Sequence, residues 1–343
     1  MPRAATDRLV DPAALAAWLG EALGLGGPLA IRPFSSGFSN LTYLVTVGDR
    51  DVVLRRPPPG ATSGHDMGRE VTVLTALHGA APVPRPLAFE ATGDVLGAPF
   101  YVMERVEGPI LRSTQPEPPG PTTMAAVADA ALDTFVGLHA LDLDALGLAD
   151  FGRPEGYVRR QIDGWAGRYA RARTDDVPTV EQALAWLDAH APPDTGATLV
   201  HNDYKYDNLV LTPDLGAVRA VLDWELATVG DPLMDLGSSL GYWIEAGDPP
   251  SLKALALSPT WWPGNPTRDE LVRQYAARTG RDPGDGVVYY VYGLLKLAVI
   301  AQQIYARWQA GHATDPRFSG LGHTVRACGE AAVRAIDRGR LSP

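Results

Sequence analysis

The sequence predicts an α+β fold with a small, mainly-β N-terminal lobe and a larger, mainly-α C-terminal lobe. Short β-like runs surround one helical segment up to Gly108, and long segments with helical periodicity dominate beyond it. A polar loop at residues 201–208 lies between short apolar runs that are typical of strands. We therefore expect residues 1–104 to form the first lobe and residues 105–343 to form the second.

The first lobe is predicted to begin with a helix and to continue as strands. Asp11 precedes a helically spaced apolar pattern, so it is expected to cap that helix. The turn at residues 48–50 is expected to join two strands as a hairpin. The predicted helices are Pro12–Leu23 and Asp66–Leu77, and the predicted strands are Leu29–Phe34, Asn40–Val47, Asp51–Arg56, Leu87–Glu90 and Pro99–Val106.

The second lobe follows a proline-rich loop at residues 111–123. Short strands are expected on both sides of the polar loop, and helices elsewhere. The predicted strands are Thr198–Val200, Leu209–Leu211 and Val218–Leu222. The predicted helices are Met124–Leu141, Tyr157–Arg173, Val180–His190, Pro232–Ala246, Asp269–Thr279 and Val287–Gly311.

The composition excludes several classes of protein. The chain has 343 residues, of which 45 % are hydrophobic, so a large core can be buried. A formal net charge of −10 argues against a protein that grips the phosphate backbone of nucleic acid. The single cysteine, Cys328, excludes an intramolecular disulfide framework and a cysteine-built zinc site.

Nothing in the sequence predicts export or a membrane span. Residues 1–15 contain Asp7 and Asp11 and no uninterrupted apolar stretch, unlike a secretory signal. Residues 287–306 are apolar, but Lys296 and the pair Gln302 and Gln303 interrupt them, which predicts a buried helix. We expect a cytoplasmic protein that binds neither membrane nor nucleic acid. The sequence carries no prediction of its oligomeric state.

The polar loop at residues 201–208 has the composition of a phosphoryl-transfer site. Such a site needs a carboxylate beside the attacking hydroxyl, a cation on the transferred phosphate and oxygen ligands for Mg²⁺. Asp203, Lys205 and Asn208 can supply these groups, and Asp203 and Asn208 are spaced as in protein-kinase catalytic loops. The alternative is an ordinary polar turn between strands. His201 is expected to pack under the loop and bond its backbone.

A second carboxylate, Asp223, favours the catalytic interpretation. It ends an apolar strand fifteen positions after Asn208, where a kinase places its principal Mg²⁺ ligand. A carboxylate at the end of a buried strand remains ionised only with a cation or hydrogen bonds nearby. Glu225 is either part of the outer shell of that metal or a surface carboxylate.

Residues 230–236 start a further helix. Asp231 is expected to be its cap, with proline at the first helical position. We interpret Asp231 and Asp235 as structural residues, because both carboxylates can bond backbone amides and brace the catalytic loop.

These motifs resemble the aminoglycoside phosphotransferase and choline kinase superfamily. The shared motifs are His-Asn-Asp-x-Lys-x-Asp-Asn at 201–208, Leu-Asp-Trp-Glu at 222–225 and Gly-Asp-Pro-x-x-Asp-Leu at 230–236. Segments 54–58, 97–104 and 297–305 are similar to one branch, the phosphotransferases related to the kinase-like domain of acyl-CoA dehydrogenase family members ten and eleven. The resemblance covers roughly residues 28–310. It implies a protein-kinase-like fold, ATP and Mg²⁺ as cofactors, and a small-molecule acceptor.

The nucleotide is expected to bind to the first lobe. No Walker A sequence occurs, which excludes a P-loop NTPase. The turn that contains Ser36, Gly37 and Phe38 occupies the position of a phosphate-covering loop, although an ordinary hairpin turn has the same composition.

Arg55 occupies the strand position at which the superfamily carries a phosphate-binding lysine. An arginine keeps the charge, but the alignment leaves Arg55 and its neighbour Arg56 both open as the phosphate ligand. Glu70 on the next helix is the expected partner of Arg55; the alternative is a solvated helix carboxylate. The resemblance further implies that the backbone from Glu104 to Val106 bonds adenine.

The sequence gives less information about the acceptor than about the nucleotide site. Residues 231–290 hold eight acidic and five basic side chains, which is no strong acidic patch of the kind that a polycationic sugar requires. Tyr242, Trp243, Trp261 and Trp262 suit an apolar acceptor or the core. Residues 153–173 carry six arginines, which either face an anionic acceptor or form a solvated helix face.

The branch resemblance implies 4-hydroxyacyl-type acceptors, free or as CoA thioesters. One alternative is an aminoglycoside or amino-alcohol kinase, such as a choline kinase. A further alternative is a nucleotide-binding pseudokinase, and only Arg55 favours it. The complete set of catalytic and metal-binding side chains argues against it: Asp203, Lys205, Asn208 and Asp223. Protein-kinase activity is not expected, since no Asp-Phe-Gly or Ala-Pro-Glu segment follows the catalytic loop.

Overall fold

The computed structural model describes residues 10–34, 40–59, 66–115, 117–313 and 315–343. The chain divides into two compact units. The first comprises the chain up to Gly108 together with Arg219–Ala227, and the second comprises Pro109–Val218 and Thr228–Pro343. Strands dominate the first unit and helices the second, so the predicted α+β fold is confirmed.

The first unit is built on one antiparallel sheet. Its strands lie in the order β1-β2-β3-β5-β4, and Val47 pairs with Arg50 at the predicted hairpin turn. Its strands are β1 (Leu29–Pro33), β2 (Leu41–Val47), β3 (Arg50–Arg56), β4 (Pro86–Glu90) and β5 (Phe100–Glu104), and its helices are α1 (Pro12–Leu23) and α2 (Met67–Leu77).

The two helices of this unit begin at aspartate caps. Asp11 accepts the amides of residues 13 and 14, as predicted, and Asp66 accepts that of Arg69. Leu15 and Leu19 of α1 are fully buried in a core with the sheet, where Trp18 meets Phe100 edge to face with 4.7 Å between ring centroids. These contacts fix α1 to the sheet.

The second unit is mainly helical. Its helices are α3 (Pro121–His139), α4 (Tyr157–Ala172), α5 (Pro178–Ala189), α6 (Pro232–Tyr242), α7 (Pro250–Lys253), α8 (Arg268–Thr279), α9 (Val287–Gln309) and α10 (Leu321–Arg338). The strands β6 (Thr198–Val200) and β9 (Thr228–Gly230) of this unit pair antiparallel, and β7 (Leu209–Leu211) also belongs to it. The remaining strand, β8 (Val218–Val221), belongs to the first unit from Arg219 onward.

Helices α6 and α9 pack with their backbones in close contact. A Cβ atom on Gly293 of α9 would lie 1.9 Å from the carbonyl oxygen of Gly237, and one on Gly237 would lie 2.4 Å from that of Tyr289. Only glycine fits at these positions, because backbone atoms cannot yield as flexible side chains do. The contact fixes α9 beside the helix that follows the catalytic loop.

Helix α9 is the buried apolar helix that the sequence predicts. Its length and hydropathy are those of a membrane-spanning helix, but 72 % of its most apolar stretch is buried inside the protein. That burial is typical of a core helix.

Several predicted boundaries are wrong. Strand β5 ends at Glu104 instead of Val106, and α6 ends at Tyr242 instead of Ala246. Helix α6 stops because Trp243 adopts an extended conformation (φ −83°, ψ 96°), which its apolar neighbours did not reveal. Strand β9 and helix α10 were not predicted, although Val325, Cys328 and Ala332 of α10 have the spacing of a buried helical face.

Candidate active site

The loop at residues 201–208 follows β6, and the Asp235 carboxylate binds its backbone. The Asp235 carboxylate accepts the amides of His201 and Asn202, each at 2.7 Å. The Nδ1 atom of His201 accepts the Asp203 amide at 3.2 Å. The predicted structural roles of His201 and Asp235 are therefore present in the geometry.

Asp235 is itself supported by a buried histidine on α3. His139 Nε2 lies 3.2 Å from the Asp235 carboxylate, and its Nδ1 lies 2.8 Å from the hydroxyl of Tyr275. Burial alone would raise the pKa of Asp235, but hydrogen bonding and charge from His139 outweigh it and lower the pKa below its ordinary value. The carboxylate therefore stays ionised and continues to accept the loop amides.

A buried lysine supports the loop from α9. Asn202 has a left-handed backbone (φ 64°), which is strained for a residue with a side chain. Lys296, which is 4 % exposed, donates to the carbonyl of Asn202 and to the Ser238 hydroxyl, the latter at 3.1 Å. Burial lowers the pKa of Lys296 to about 8. Lys296 thereby stabilises the turn that precedes Asp203.

The structure brings the predicted residues Asp203, Lys205 and Asn208 together. Lys205 Nζ donates to Asp203 Oδ2. Asn208 Nδ2 donates to the same carboxylate oxygen and to the Asp203 carbonyl, each at 2.9 Å. The carboxylate of Asp203 is thus held by two donors, Lys205 and Asn208.

The end of the loop is tied to residues 258–265. Asp207 accepts a hydrogen bond from the Ser258 hydroxyl at 3.0 Å, and Tyr206 donates to Asn265 at 2.8 Å. Burial raises the pKa of Asp207, and nearby Lys205 opposes this effect. The short 3₁₀ turn of residues 206–208 is consequently anchored to residues 258–265 by two side chains.

An apolar cavity of about 40 Å³ lies beside this loop in the second unit. Its walls come from α3, the loop, α6, residues 258–260 and α8. The lining residues are Ala128, Ala131, Leu132, Phe135, Tyr204, Lys205, Tyr206, Leu236, Ser239, Tyr242, Trp243, Ser258, Thr260 and Leu271. Tyr242 and Trp243, which the sequence offered for an apolar acceptor, therefore line the cavity, whereas Trp261 and Trp262 do not.

In the first unit, Arg55 is the centre of a network of carboxylates. Its guanidinium lies 2.9 Å from Glu70, 2.8 Å from Asp223 and 3.6 Å from Glu225. Both Arg55 and Glu70 are buried, and burial raises the pKa of Glu70 although Arg55 opposes this shift. The predicted pair Arg55–Glu70 is present, and Arg55 is the member of the Arg55–Arg56 pair that contacts Glu70.

Asp223 is held in an unusual backbone conformation. Its φ of 70° lies in the left-handed region, where a non-glycine residue is strained. Its side chain is 32 % exposed, and the neighbouring Glu225 accepts a hydrogen bond from Asn40 at 2.7 Å. The turn places the partly exposed Asp223 carboxylate two residues before that of Glu225, which is less exposed.

The donor types of the predicted metal ligands suit Mg²⁺. Asn208 in the second unit offers an amide oxygen and Asp223 in the first unit a carboxylate, each a hard oxygen ligand of the kind that Mg²⁺ prefers. Among the described residues, no group of three or more His, Cys, Asp or Glu side chains is arranged around a metal site. Mg²⁺ in kinases uses only one or two protein carboxylates together with substrate phosphates, so a sparse donor set is suitable.

The predicted adenine-binding segment follows β5. The amide of Glu104 donates to the carbonyl of Arg85 at 2.9 Å, so this amide is already used within the protein. Val106 lies just beyond the strand. The third element of the predicted nucleotide site, Ser36, Gly37 and Phe38, lies outside the described residues.

The sequence matches the phosphotransferase enzyme family (APH) over residues 30–283. The chain belongs to this phosphotransferase family. Acyl-CoA dehydrogenase family member 11 of Gallus gallus is 36 % identical over 322 residues, which cover 91 % of this chain and 41 % of that protein. Member 10 of Mus musculus is 34 % identical over 313 residues, which cover 89 % and 29 %. The phosphotransferase thus spans less than half the length of these two relatives.

Solved structures show the same fold. A Ralstonia eutropha protein provisionally assigned as an aminoglycoside phosphotransferase superposes with a TM-score of 0.80 at 31 % identity, covering 96 % of this chain and 98 % of that one. A thermostable mutant of aminoglycoside phosphotransferase APH(4)-Ia, in a ternary complex with AMP-PNP and hygromycin B, gives 0.62 at 19 % identity, covering 94 % and 98 %. The predicted kinase-like fold is therefore confirmed for this phosphotransferase.

The arginines of residues 153–173 largely bind their own surroundings. Arg159 pairs with Asp163 and Asp188, and Arg173 pairs with Asp176 and Glu181. Arg160 donates to backbone carbonyls, and Arg168 lies over the ring of Trp165. These contacts favour the interpretation of a solvated helix face in the phosphotransferase.

Sequence reasoning missed two supports of the catalytic loop. Lys296 carried a signal, a charge inside an apolar helix, which we used only as an argument against a membrane span. His139 carried no signal, because its partner Asp235 lies 96 positions away in the chain. Both residues contribute to the phosphotransferase site through contacts between distant segments.

Proposed function

We propose that this protein is an ATP- and Mg²⁺-dependent kinase that transfers the γ-phosphoryl group to the hydroxyl of a hydroxyacyl compound, free or as its CoA thioester. Family membership and the kinase-like fold support a small-molecule phosphotransferase. The observation that carries the acceptor is the apolar cavity beside Lys205, whose lining residues include no carboxylate.

The chemistry follows from the arrangement of the loop. Asp203 orients the acceptor hydroxyl and accepts its proton as the new P–O bond forms and the bond between the γ-phosphorus and the leaving ADP breaks. Lys205, already paired with Asp203, stabilises negative charge on the transferred phosphoryl group. The loop geometry is preset by Asp235 and Lys296, so little reorganisation is needed at the moment of transfer.

We assign nucleotide binding to Arg55, Glu70, Glu104, Val106 and the turn around Gly37. Arg55 holds a permanent charge where the superfamily carries lysine, and Glu70 fixes its orientation. Asn208 and Asp223 are proposed to hold Mg²⁺, which supplies positive charge to the β- and γ-phosphates. The complex of APH(4)-Ia with AMP-PNP supports a nucleotide as cofactor.

A hydroxyacyl acceptor fits the cavity better than an aminoglycoside does. A polycationic sugar would need carboxylates around it, because buried ammonium groups without partners cost several kcal/mol (of the order of 3–5). An acyl chain needs only apolar walls. The names of the two acyl-CoA dehydrogenase relatives point to acyl compounds as well. The hygromycin B complex is the observation in favour of an aminoglycoside kinase, the alternative function.

The test is ATP consumption with Mg²⁺ across an acceptor panel. The panel contains 3-, 4- and 5-hydroxy acids, their CoA thioesters, kanamycin, hygromycin B and choline. We expect turnover with the hydroxyacyl compounds alone. Turnover confined to kanamycin, hygromycin B or choline would establish the alternative, and ATP binding without any turnover would favour a pseudokinase.

A further inference from the structure

The wall of the cavity includes one of the groups proposed to carry out the reaction. Lys205 forms part of its wall and donates to the Asp203 carboxylate. Lys205 Nζ also lies 4.9 Å from the centre of the Tyr242 ring, another wall residue. An acceptor whose hydroxyl meets Asp203 therefore has the cavity next to its carbon chain.

Part of the cavity wall consists of buried core residues. Leu236 and Phe135 are 1 % and 2 % exposed, and Leu132 and Leu271 are also buried. Cavities lined by such side chains stay dry and take apolar ligands. A water-sized probe fills roughly 10–15 Å³, so a volume of about 40 Å³ has room for about three methylene groups.

The polar groups on the wall are, with one exception, used by the protein itself. The hydroxyls of Tyr204, Tyr206 and Thr260 donate to protein oxygens at 2.6–2.8 Å. Ser239 is 92 % buried, and its hydroxyl has no hydrogen-bond partner in the part of the chain that the structure describes. The wall thus presents hydrocarbon to an occupant and a single hydroxyl on α6.

We infer that this cavity binds the hydrocarbon tail of the acceptor, on the far side of its hydroxyl-bearing carbon, and selects tails of about three carbons. The inference rests on the proposed function and specifies the acceptor further. Each methylene that enters the cavity leaves water and contributes to binding. A longer tail exceeds this volume and meets buried core side chains, which do not yield without strain. Ser239 is the polar group that the tail covers.

The test measures kcat/KM of the wild-type protein for a series of free 4-hydroxy acids, from 4-hydroxybutyrate, which has no tail, through the pentanoate, hexanoate, heptanoate, nonanoate and undecanoate. We expect kcat/KM to rise about fourfold per methylene up to the heptanoate and to fall for the longer acids. Equal kcat/KM throughout the series would overturn the inference while leaving the proposed function intact. Absence of turnover with every hydroxyacyl compound, free or thioester, would instead overturn the proposed function.

Two substitutions on α3 locate the effect. Ala128→Leu fills the cavity, so the gain from tail length should disappear and the optimum should move to the pentanoate or below. Ala126→Leu makes the same change on the exposed side of the same helix and should keep the wild-type length profile. An unchanged profile in folded Ala128→Leu protein, verified by its thermal transition, would contradict the inference.

Ser239→Ala provides a variant that removes atoms and therefore does not overfill the core. In the wild-type protein the tail covers the Ser239 hydroxyl without a hydrogen bond, which opposes binding. We expect Ser239→Ala to raise kcat/KM for the heptanoate about fivefold relative to that for 4-hydroxybutyrate. A loss specific to tailed acids would mean that the occupant accepts a hydrogen bond from Ser239, and would overturn the assignment of a hydrocarbon tail.

Discussion

The candidate functional residues of the two units are stabilised in different ways. Around Arg55, charged side chains hold one another, with one guanidinium between the carboxylates of Glu70 and Asp223. Around the loop at residues 201–208, backbone groups are held by buried side chains, the amides by Asp235 and the Asn202 carbonyl by Lys296. The first arrangement fixes charges, and the second fixes the path of the chain.

This difference separates two kinds of failure. Removal of a charge from the Arg55 network leaves an opposite charge buried without a partner, so stability and nucleotide binding should suffer together. The functional side chains of the loop stand on a backbone that other residues support. Asp203 can therefore be removed without loss of the fold, whereas the supports are sensitive to pH and packing.

The largest expected effect is that of Asp203→Ala. We predict that kcat falls about 10²–10⁴-fold, because no other group orients the acceptor hydroxyl, while the thermal transition stays near that of the wild type. The measurement is steady-state turnover with the best acceptor of the panel. Asp214→Ala, at an exposed turn, is the matched control and should retain full turnover.

Arg55→Met removes the positive charge that pairs with Glu70 and Asp223. Glu70 is 2 % exposed and would lose its counter-charge, at a cost of about 3–5 kcal/mol in the free energy of unfolding. Protonation of Glu70 relieves this cost, so the variant should regain stability relative to the wild type as the pH falls. Urea denaturation at several pH values measures the effect. Arg32→Met on an exposed strand position is the control, and an equal loss in both variants would argue against the network.

Lys296→Met tests the support that Lys296 gives to the loop at residues 201–208. The pKa of Lys296 is about 8 in the folded protein, against an ordinary value of 10.5, so the folded state binds fewer protons than the unfolded state between these pH values. Stability should therefore rise with pH over this window, by about 3 kcal/mol in total. The variant should lack this rise, as seen in the difference between its urea transitions and those of the wild type at pH 7.5, 9 and 10.

The matched control for this prediction is Lys253→Met, because Lys253 is exposed and should leave the pH dependence unchanged. A wild-type pH dependence in Lys296→Met would show that another group is responsible. A lower kcat in this variant is expected as well, since the Asn202 carbonyl before Asp203 loses its donor.

The smallest expected effect comes from the helix packing that carries Lys296. Gly293→Ala would place a methyl group against the Gly237 carbonyl and should cost about 1–3 kcal/mol. Gly137→Ala, in α3 with open space around it, should instead stabilise by about 0.4–1 kcal/mol. The midpoints of urea denaturation compare the two. Equal shifts would mean that the close approach of α6 and α9 is unimportant for stability.

Local signals in the sequence predicted much of this structure. Asp11 and Asp231 accept the helix amides that their positions predicted. The spacing of Asp203, Lys205 and Asn208 predicted three groups that meet in one loop, and the strand pattern predicted the pair of Arg55 with Glu70.

The remaining features depend on segments far apart in the chain. The contact of Lys296 with Asn202 spans 94 positions, and nothing local marks either residue as a partner of the other. Gly293 is required because another helix approaches it, which single-sequence periodicity does not reveal. The cavity likewise exists only after α3, α6 and α8 have packed around the loop. Long-range packing, and not the local sequence pattern, therefore determines this cavity.

The assignment of Asp203 to transfer and Asp223 to the metal is tested most directly by two variants, Asp203→Ala and Asp223→Ala. For each variant, titration calorimetry measures the affinity for ATP with and without Mg²⁺, and turnover is measured on the same protein. We predict that Asp203→Ala binds MgATP like the wild type but does not transfer phosphate, whereas Asp223→Ala loses the Mg²⁺-dependent part of ATP binding. Wild-type MgATP affinity and turnover in both folded variants would contradict the assignment of Asp203 to transfer and Asp223 to the metal.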